Sequence, residues 1–185
     1  MNCTSCKNGV LSPSFMDGQF RAHTCSNCGG NWVLIEDYVS WKERNADYQF
    51  SEEIKIEESE VSETKKAIIC PISGTIMTKY RISAQNEHRI DYSYAVGGLW
   101  LDKGEWELLK AEGLAGCLNA VVTQHWQRNI RQNNAQQNFA EIYEAKFGKE
   151  KYAEIKKMRA WLMSQDQKAD LRAYLLATDP YSAEK

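Results

Sequence analysis

The chain has no uninterrupted run of about 18 apolar residues, so a transmembrane helix is not expected. Its start lacks a basic segment followed by an apolar core, which argues against export. Charge of one sign is also scarce: 23 Lys and Arg face 25 Asp and Glu, a formal net of -2. A protein held on DNA by phosphate contacts alone is usually more basic. No strand–turn–helix nucleophile, phosphate-cradling glycine loop or paired carboxylate motif is present, so the sequence offers no catalytic centre. What remains is a globular composition, 43% hydrophobic and 26% charged over 185 residues, enough for one ordinary domain or two small ones with a helical appendage.

Against these absences stand six cysteines, four of them in the first 28 residues as the pairs Cys3/Cys6 and Cys25/Cys28. In an exported chain six cysteines would suggest disulfides. Two close pairs suit metal binding in a reducing compartment better, and the expected location is the cytoplasm. Zinc takes four borderline or soft ligands at tetrahedral corners, and two Cys-x-x-Cys turns set side by side supply them. The 18 residues between the pairs suit a ribbon, with Asp17-Gly18 at the middle allowing the positive φ of a tight two-residue hairpin turn. Cys3, Cys6, Cys25 and Cys28 are therefore read as ligands of one structural Zn2+ that contributes directly to folding. Four thiolates leave no vacancy for His23, which reads as a strand side chain.

After Gly29-Gly30 come Trp32 to Ile35 and a short helical segment through Tyr38 and Trp41. Residues 43–66 read as an acidic linker, in which Ile54 and Ile56 could form a brief edge strand. From Cys70 the pattern recurs: Gly97-Gly98-Leu99-Trp100 answers Gly29-Gly30-Asn31-Trp32, at offsets of 67 for Cys3/Cys70 and 68 for Trp32/Trp100. These offsets imply one extra residue in the second hairpin. Tyr80 and Ile82, then Ile90, Tyr92 and Tyr94, alternate as strands do around a turn near Gln85-Asn86. Asp102 is expected to cap a helix over 103–111 that ends near Gly113. The ligand positions of this second unit read Cys70, Ser73, Ser93 and Val96, so no metal is expected. Tyr80, Tyr92, Tyr94, Trp100 and Trp106 are expected to fill the space with packed rings. His88 and Cys117 read as surface or core side chains.

The Cys-x-x-Cys, hairpin, Cys-x-x-Cys-Gly-Gly-x-Trp series, with the Trp-Leu-Asp-x-Gly-Glu helix start, resembles the bacterial TFIIB-type zinc-finger domain over 1–42 and again over 70–110. The two units divide the pattern. The first keeps four cysteines but reads Trp32-Val33-Leu34-Ile35-Glu36-Asp37 and lacks the usual proline after its first cysteine. The second keeps Trp100-Leu101-Asp102-Lys103-Gly104-Glu105 and has lost three ligands. The resemblance implies zinc binding and a loose link to transcription or nucleic acid.

From Leu114 the pattern is helical. Leu118, Val121, Val122, His125 and Trp126 form an apolar stripe, continued by Phe139, Ile142, Tyr143 and Phe147. Arg131 to Asn138 is polar and leaves open a solvent-crossing helix or a break. Gly148 ends this element, Tyr152 to Leu162 marks another helix, and 168–177 a third that stops before Asp179-Pro180. The expected fold is α+β: a zinc ribbon over 1–42, an acidic linker over 43–66, a metal-free ribbon repeat over 67–112 and a helical region over 113–185.

The expected function is non-enzymatic. A docking or adaptor module binds a protein partner or self-associates, with no membrane and no small-molecule substrate. The alternative is nucleic-acid binding, because 121–160 carries eight basic residues against four acidic ones. Arg128, Arg131, Lys156, Lys157 and Arg159 are its candidate contacts. A thiol switch that releases zinc on oxidation is a third reading.

Overall fold

The computed structural model describes residues 1–51, 56 and 60–177. Ile54, the Glu52, Glu53, Glu57 and Glu58 of the acidic connector, and Asp179-Pro180 lie outside these described residues. The fold is α+β, a six-stranded antiparallel sheet followed by helices. The first half of the sheet comprises β1 (Leu11–Met16), β2 (Phe20–Cys25) and β3 (Asn31–Leu34), followed by α1 (Ile35–Arg44). The second comprises β4 (Thr78–Arg81), β5 (Arg89–Ser93) and β6 (Gly98–Leu101), followed by α2 (Glu105–Ala111). Strand order is β1-β2-β3-β6-β5-β4, so the halves meet at their third strands.

Period-two alternation sends one set of side chains to each face. Phe20, Ala22, Val33, Tyr80, Ile90, Leu99 and Leu101 face α1 and α2, where Tyr38, Trp41, Trp106 and Leu109 complete the larger core. Phe20 sits edge-on to Tyr38 at 5.3 Å and to Trp106 at 5.5 Å. The opposite face carries Cys25, Trp32, Trp100 and Ser93, and its core also takes in Cys3, Leu11, Ile68, Cys70 and Met77.

The central β3–β6 pairing puts Trp32 opposite Trp100 and Leu34 opposite Gly98. A Cβ at Gly98 would stand 2.1 Å from Cζ2 of Trp32, and one at Gly30 would stand 2.3 Å from Cζ2 of Trp100. Each half thus lends its glycine as the seat for the other half's indole, which explains the second glycine of Gly-Gly-x-Trp. The first has a different job: Gly29 and Gly97 adopt φ of 72° and 64°, the left-handed conformation that closes the preceding turn. Overpacking this interface is expected to be costly. Gly30→Ala and Gly98→Ala should each remove about 3 kcal/mol from the zinc-loaded protein, at the upper end of ordinary small-to-large substitutions, read from denaturant midpoints at unchanged slope.

Several local expectations change. The first hairpin turn has three residues, Asp17-Gly18-Gln19, between the paired Met16 and Phe20. Asp17 (φ 48°) and Gly18 (φ 71°) are left-handed as expected. Asp17 also accepts hydrogen bonds from Trp106 Nε1 at 2.9 Å and Lys110 Nζ at 2.8 Å, tying the hairpin to α2.

Asp102 does not cap α2. Its carboxylate accepts from Trp100 Nε1 (2.7 Å) and from the backbone and hydroxyl of Thr64. The helix begins two residues later than expected, and Glu105 reaches back to accept from Asp102 N at 2.7 Å. The connector beyond α1 is not simply solvated. Phe50, Ile56 and Val61 pack on the larger core, and Lys79 Nζ donates to Thr64 O at 2.6 Å.

Two compact units divide the chain, Met1–Asn133 and Asn134–Lys185, so both halves of the sheet and the connector belong to one body. Beyond α2 a 3-10 turn, Ala115–Cys117, leads into α3 (Leu118–Val121). Tyr38 Oη donates to Ala115 O at 2.9 Å and anchors this turn on α1. The stripe from Leu118 to Trp126 is interrupted: Thr123 lies between α3 and the next helix, and its hydroxyl accepts from Trp126 N (3.2 Å) to start α4 (Gln124–Phe147). The polar stretch Arg131 to Asn138 stays helical within α4. Gly148 (φ 82°) separates α4 from α5 (Lys149–Met163), and α6 (Lys168–Leu176) follows.

Candidate metal centre

The four cysteines that the sequence singles out meet in one place. Their Sγ atoms all lie within 4.8 Å of one another, with Cys3–Cys28 at 3.8 Å and Cys6–Cys25 at 3.7 Å. A disulfide would need about 2.05 Å. A regular tetrahedron with Zn–S bonds of about 2.3 Å has edges of about 3.8 Å, which these two sulfur pairs match. The donor set is chemically suited to zinc, and these four residues would hold one ion.

Each pair sits on a tight turn built from backbone hydrogen bonds. Cys3 N donates to Gly9 O (2.9 Å) and Lys7 N to Cys3 O (3.2 Å); Cys25 N donates to Gly30 O (2.8 Å) and Gly29 N to Cys25 O (3.1 Å). The backbone N–H groups of Asn27 and Cys28 point at Cys25 Sγ, at 3.4 and 3.5 Å, and would soften the charge of a thiolate. Gly9 is part of the cage: a Cβ there would lie 2.3 Å from Cys25 Sγ. Neither Gly9 nor Asn27 was singled out by sequence reasoning. A glycine placed between the first turn and β1 was the available signal.

Protons are unevenly held among the four thiols. Hydrogen bonding, first from the Asn27 side chain, lowers the Cys6 thiol to about 6. Burial pushes Cys3 and Cys28 up. Metal capture therefore releases protons and weakens in acid.

The second half carries a turn with a similar set of bonds. Cys70 N donates to Thr75 O (2.8 Å), Gly74 N to Cys70 O (3.0 Å), and Ser73 N points at Cys70 Sγ (3.4 Å). By these bonds Thr75 stands where Gly9 does, an offset of 66, so the second turn is a residue shorter and the hairpin beyond it two longer. Of the rings expected at this spot Trp100 shares the cluster of Cys70, and the others do not. Tyr80 and Trp106 belong to the core on the other face, and Tyr94 is exposed. Ile68, Met77 and Val96 surround Cys70 instead. Among the described residues the four N-terminal cysteines are the one cluster of metal-ligating groups.

Next to it lies a buried acidic network. Burial raises Asp91 to about 6, although Lys79 Nζ at 2.8 Å opposes the shift, and burial holds Glu105 well above the usual carboxylate range. A folded-state value above the ordinary 3.8 means that the native protein binds the proton more tightly than the unfolded chain. This contribution to stability is complete below 3.8 and is lost as pH rises through about 6. From pH 7 to 5 the parent protein should gain about 1 kcal/mol relative to Asp91→Asn, as measured by paired denaturant titrations at saturating zinc.

Other candidates lie elsewhere. His23 is a β2 side chain outside the cage, paired in register with Trp32. His88 Nδ1 lies 4.0 Å from Glu63. Cys117 is half-buried, and its thiol points at Leu114 O (3.4 Å). Arg128 and Arg131 are exposed on α4 within the first unit; Lys156, Lys157 and Arg159 are exposed on α5 in the second.

No helix among the described residues is long and apolar enough to cross a membrane. No curated protein and no solved structure gives a significant match to the chain. Residues 2–44, from the first cysteine turn to the end of α1, match the family model of the TFIIB-type zinc ribbon, described as a transcription factor zinc-finger.

Proposed function

We propose that this is a non-enzymatic zinc-ribbon adaptor, whose one structural Zn2+ fixes a rigid sheet that docks on another macromolecule, a protein in the first instance. The closed ligand set carries the reading: four cysteines fill all four corners, whereas catalytic zinc keeps a position open. The free thiols fit a reducing compartment such as the cytoplasm.

The halves of the sheet read as two copies of one ribbon, the second of which has lost its metal. Identical element order, matching turn hydrogen bonds and the exchanged Gly–Trp contacts support that reading. In-cell crosslinking of the tagged full chain, followed by mass spectrometry, tests the docking function. A protein recovered in near-equal amount, resistant to nuclease, is expected; recovery of the chain alone counts against it.

A second reading, nucleic-acid binding, is favoured by one observation. Arg128, Arg131, Lys156, Lys157 and Arg159 are all exposed and none forms an ion pair among the described residues. Binding would then weaken steeply between 50 and 200 mM salt, by roughly tenfold or more for a few phosphate contacts. Absence of binding to DNA or RNA at low salt would end this reading.

A further inference from the structure

From Asn134 to Ala177 no residue is buried. Helices α5 and α6 contain none, and the two buried residues of α4, Gln127 and Ile130, precede Asn134. Isolated helices of about 12–15 residues are marginal in water, and helical stability in proteins comes mainly from packing an apolar face. This segment has such a face, and among its described residues no side chain is buried on it.

On α4 and α5 eight large apolar side chains stand 40–62% exposed, Phe139 and Trp161 among them. At roughly 100 Å² each they present on the order of 800 Å² of apolar surface. A stable interface takes about 800 Å² from each partner. Between the helices the surface dips into a groove of about 660 Å³ lined by Phe139, Tyr143, Phe147, Tyr152 and Ile155. The Tyr143 ring stacks on Phe147 at 5.6 Å and on Tyr152 at 6.4 Å.

Charge narrows the occupant. Between Glu141 and Arg159 lie four acidic and six basic side chains, and none of them joins an ion pair within the chain among the described residues. A polyanion would set those carboxylates against phosphates. A second copy brings both signs to meet both signs, and an isologous contact is self-complementary by construction.

We infer that α4 beyond Asn134 and α5 form a dimerisation element, whose apolar face seats the same face of a second copy in a four-helix arrangement. This pairing is separate from docking by the sheet, and either can hold without the other.

Sedimentation equilibrium of the full, zinc-loaded chain from about 1 to 100 µM tests it. A dimer is expected, with Tyr143→Glu and Ile155→Glu each weakening association at least tenfold and lowering the helical circular dichroism. Zinc content should stay at one ion per chain, which shows that the first unit is intact. Phe147→Ala, milder, should weaken association in the same direction. A monomer at 100 µM overturns the inference. So does a dimer that survives both glutamate substitutions with zinc content unchanged, since it would use another surface.

Discussion

Ser73→Cys, Ser93→Cys, Val96→Cys and Thr75→Gly, made together, are expected to raise the zinc content of the purified protein from one ion per chain to two. The second half already holds the backbone that a zinc turn needs. Gly74 (φ 69°) and Gly97 (φ 64°) supply the left-handed residue after each ligand pair, as Lys7 (φ 61°) and Gly29 (φ 72°) do in the first half. The Cys70 N–Thr75 O and Gly74 N–Cys70 O bonds, 2.8 and 3.0 Å, reproduce those around Cys3 at 2.9 and 3.2 Å. One ligand, Cys70, is in place.

Thr75→Gly is included because its counterpart, Gly9, leaves no room for a Cβ beside Cys25 Sγ. A version that keeps Thr75 should bind the second ion more weakly. With free zinc a thousandfold above the dissociation constant, the added ion contributes about 4 kcal/mol, or roughly 8–16 °C in Tm for a chain of this size. Elemental analysis and a melting curve read both effects. A single ion per chain in the four-residue variant would show that the second half does not hold the geometry that four ligands need.

Replacing Cys25 and Cys28 together with serine should abolish zinc binding and destabilise the whole first unit. Cys3 and Cys25 belong to the same core as Trp32 and Trp100, the pair on which the two halves meet. Without the ion, buried Cys3 and half-buried Cys6 would be left as unligated thiols beside two serines, and the turn carrying Cys3 would lose its tether to β2. Structural zinc in isolated fingers is worth about 10–16 kcal/mol. Here the sheet supports part of the same structure, so a loss on the order of 5 kcal/mol, roughly 10–20 °C in Tm, is expected. Chelation of the unaltered protein should give a similar shift, reversed by added zinc. A serine variant that melts like the parent would mean that the ion is a passenger and not a structural element.

The cage was legible because cysteine spacing is chemistry written locally: two residues between ligands and a hairpin between pairs leave few alternatives. The strands were legible for a similar reason, since Tyr80, Ile90 and Tyr92 alternate onto one face, although Tyr94 falls past the end of β5 and is exposed. Long-range partners were not. Nothing at Thr64 announces that it satisfies Asp102, and Asp102 looked like a helix cap because aspartate before a helix usually is one. Its true partners lie on the connector and at Trp100. The turn at Asp17-Gly18 was read from its backbone preference, but its carboxylate's grip on Trp106 and Lys110, more than eighty residues away, leaves no local trace. The break at Thr123 was hidden because apolar residues on both sides of it keep helical spacing, and only the hydroxyl's bond to Trp126 N reveals the restart.

Because β3 and β6 are spent on each other, the borders of the sheet among the described residues are β1 and β4. Neither invites a visiting strand. Exposed Pro13 removes an amide from the middle of β1, and β4 is four residues long with Lys79 and Arg81 along it. A binding partner cannot readily lengthen this sheet by backbone pairing and must grip side chains instead, while copies of the sheet are kept from zipping together into aggregates.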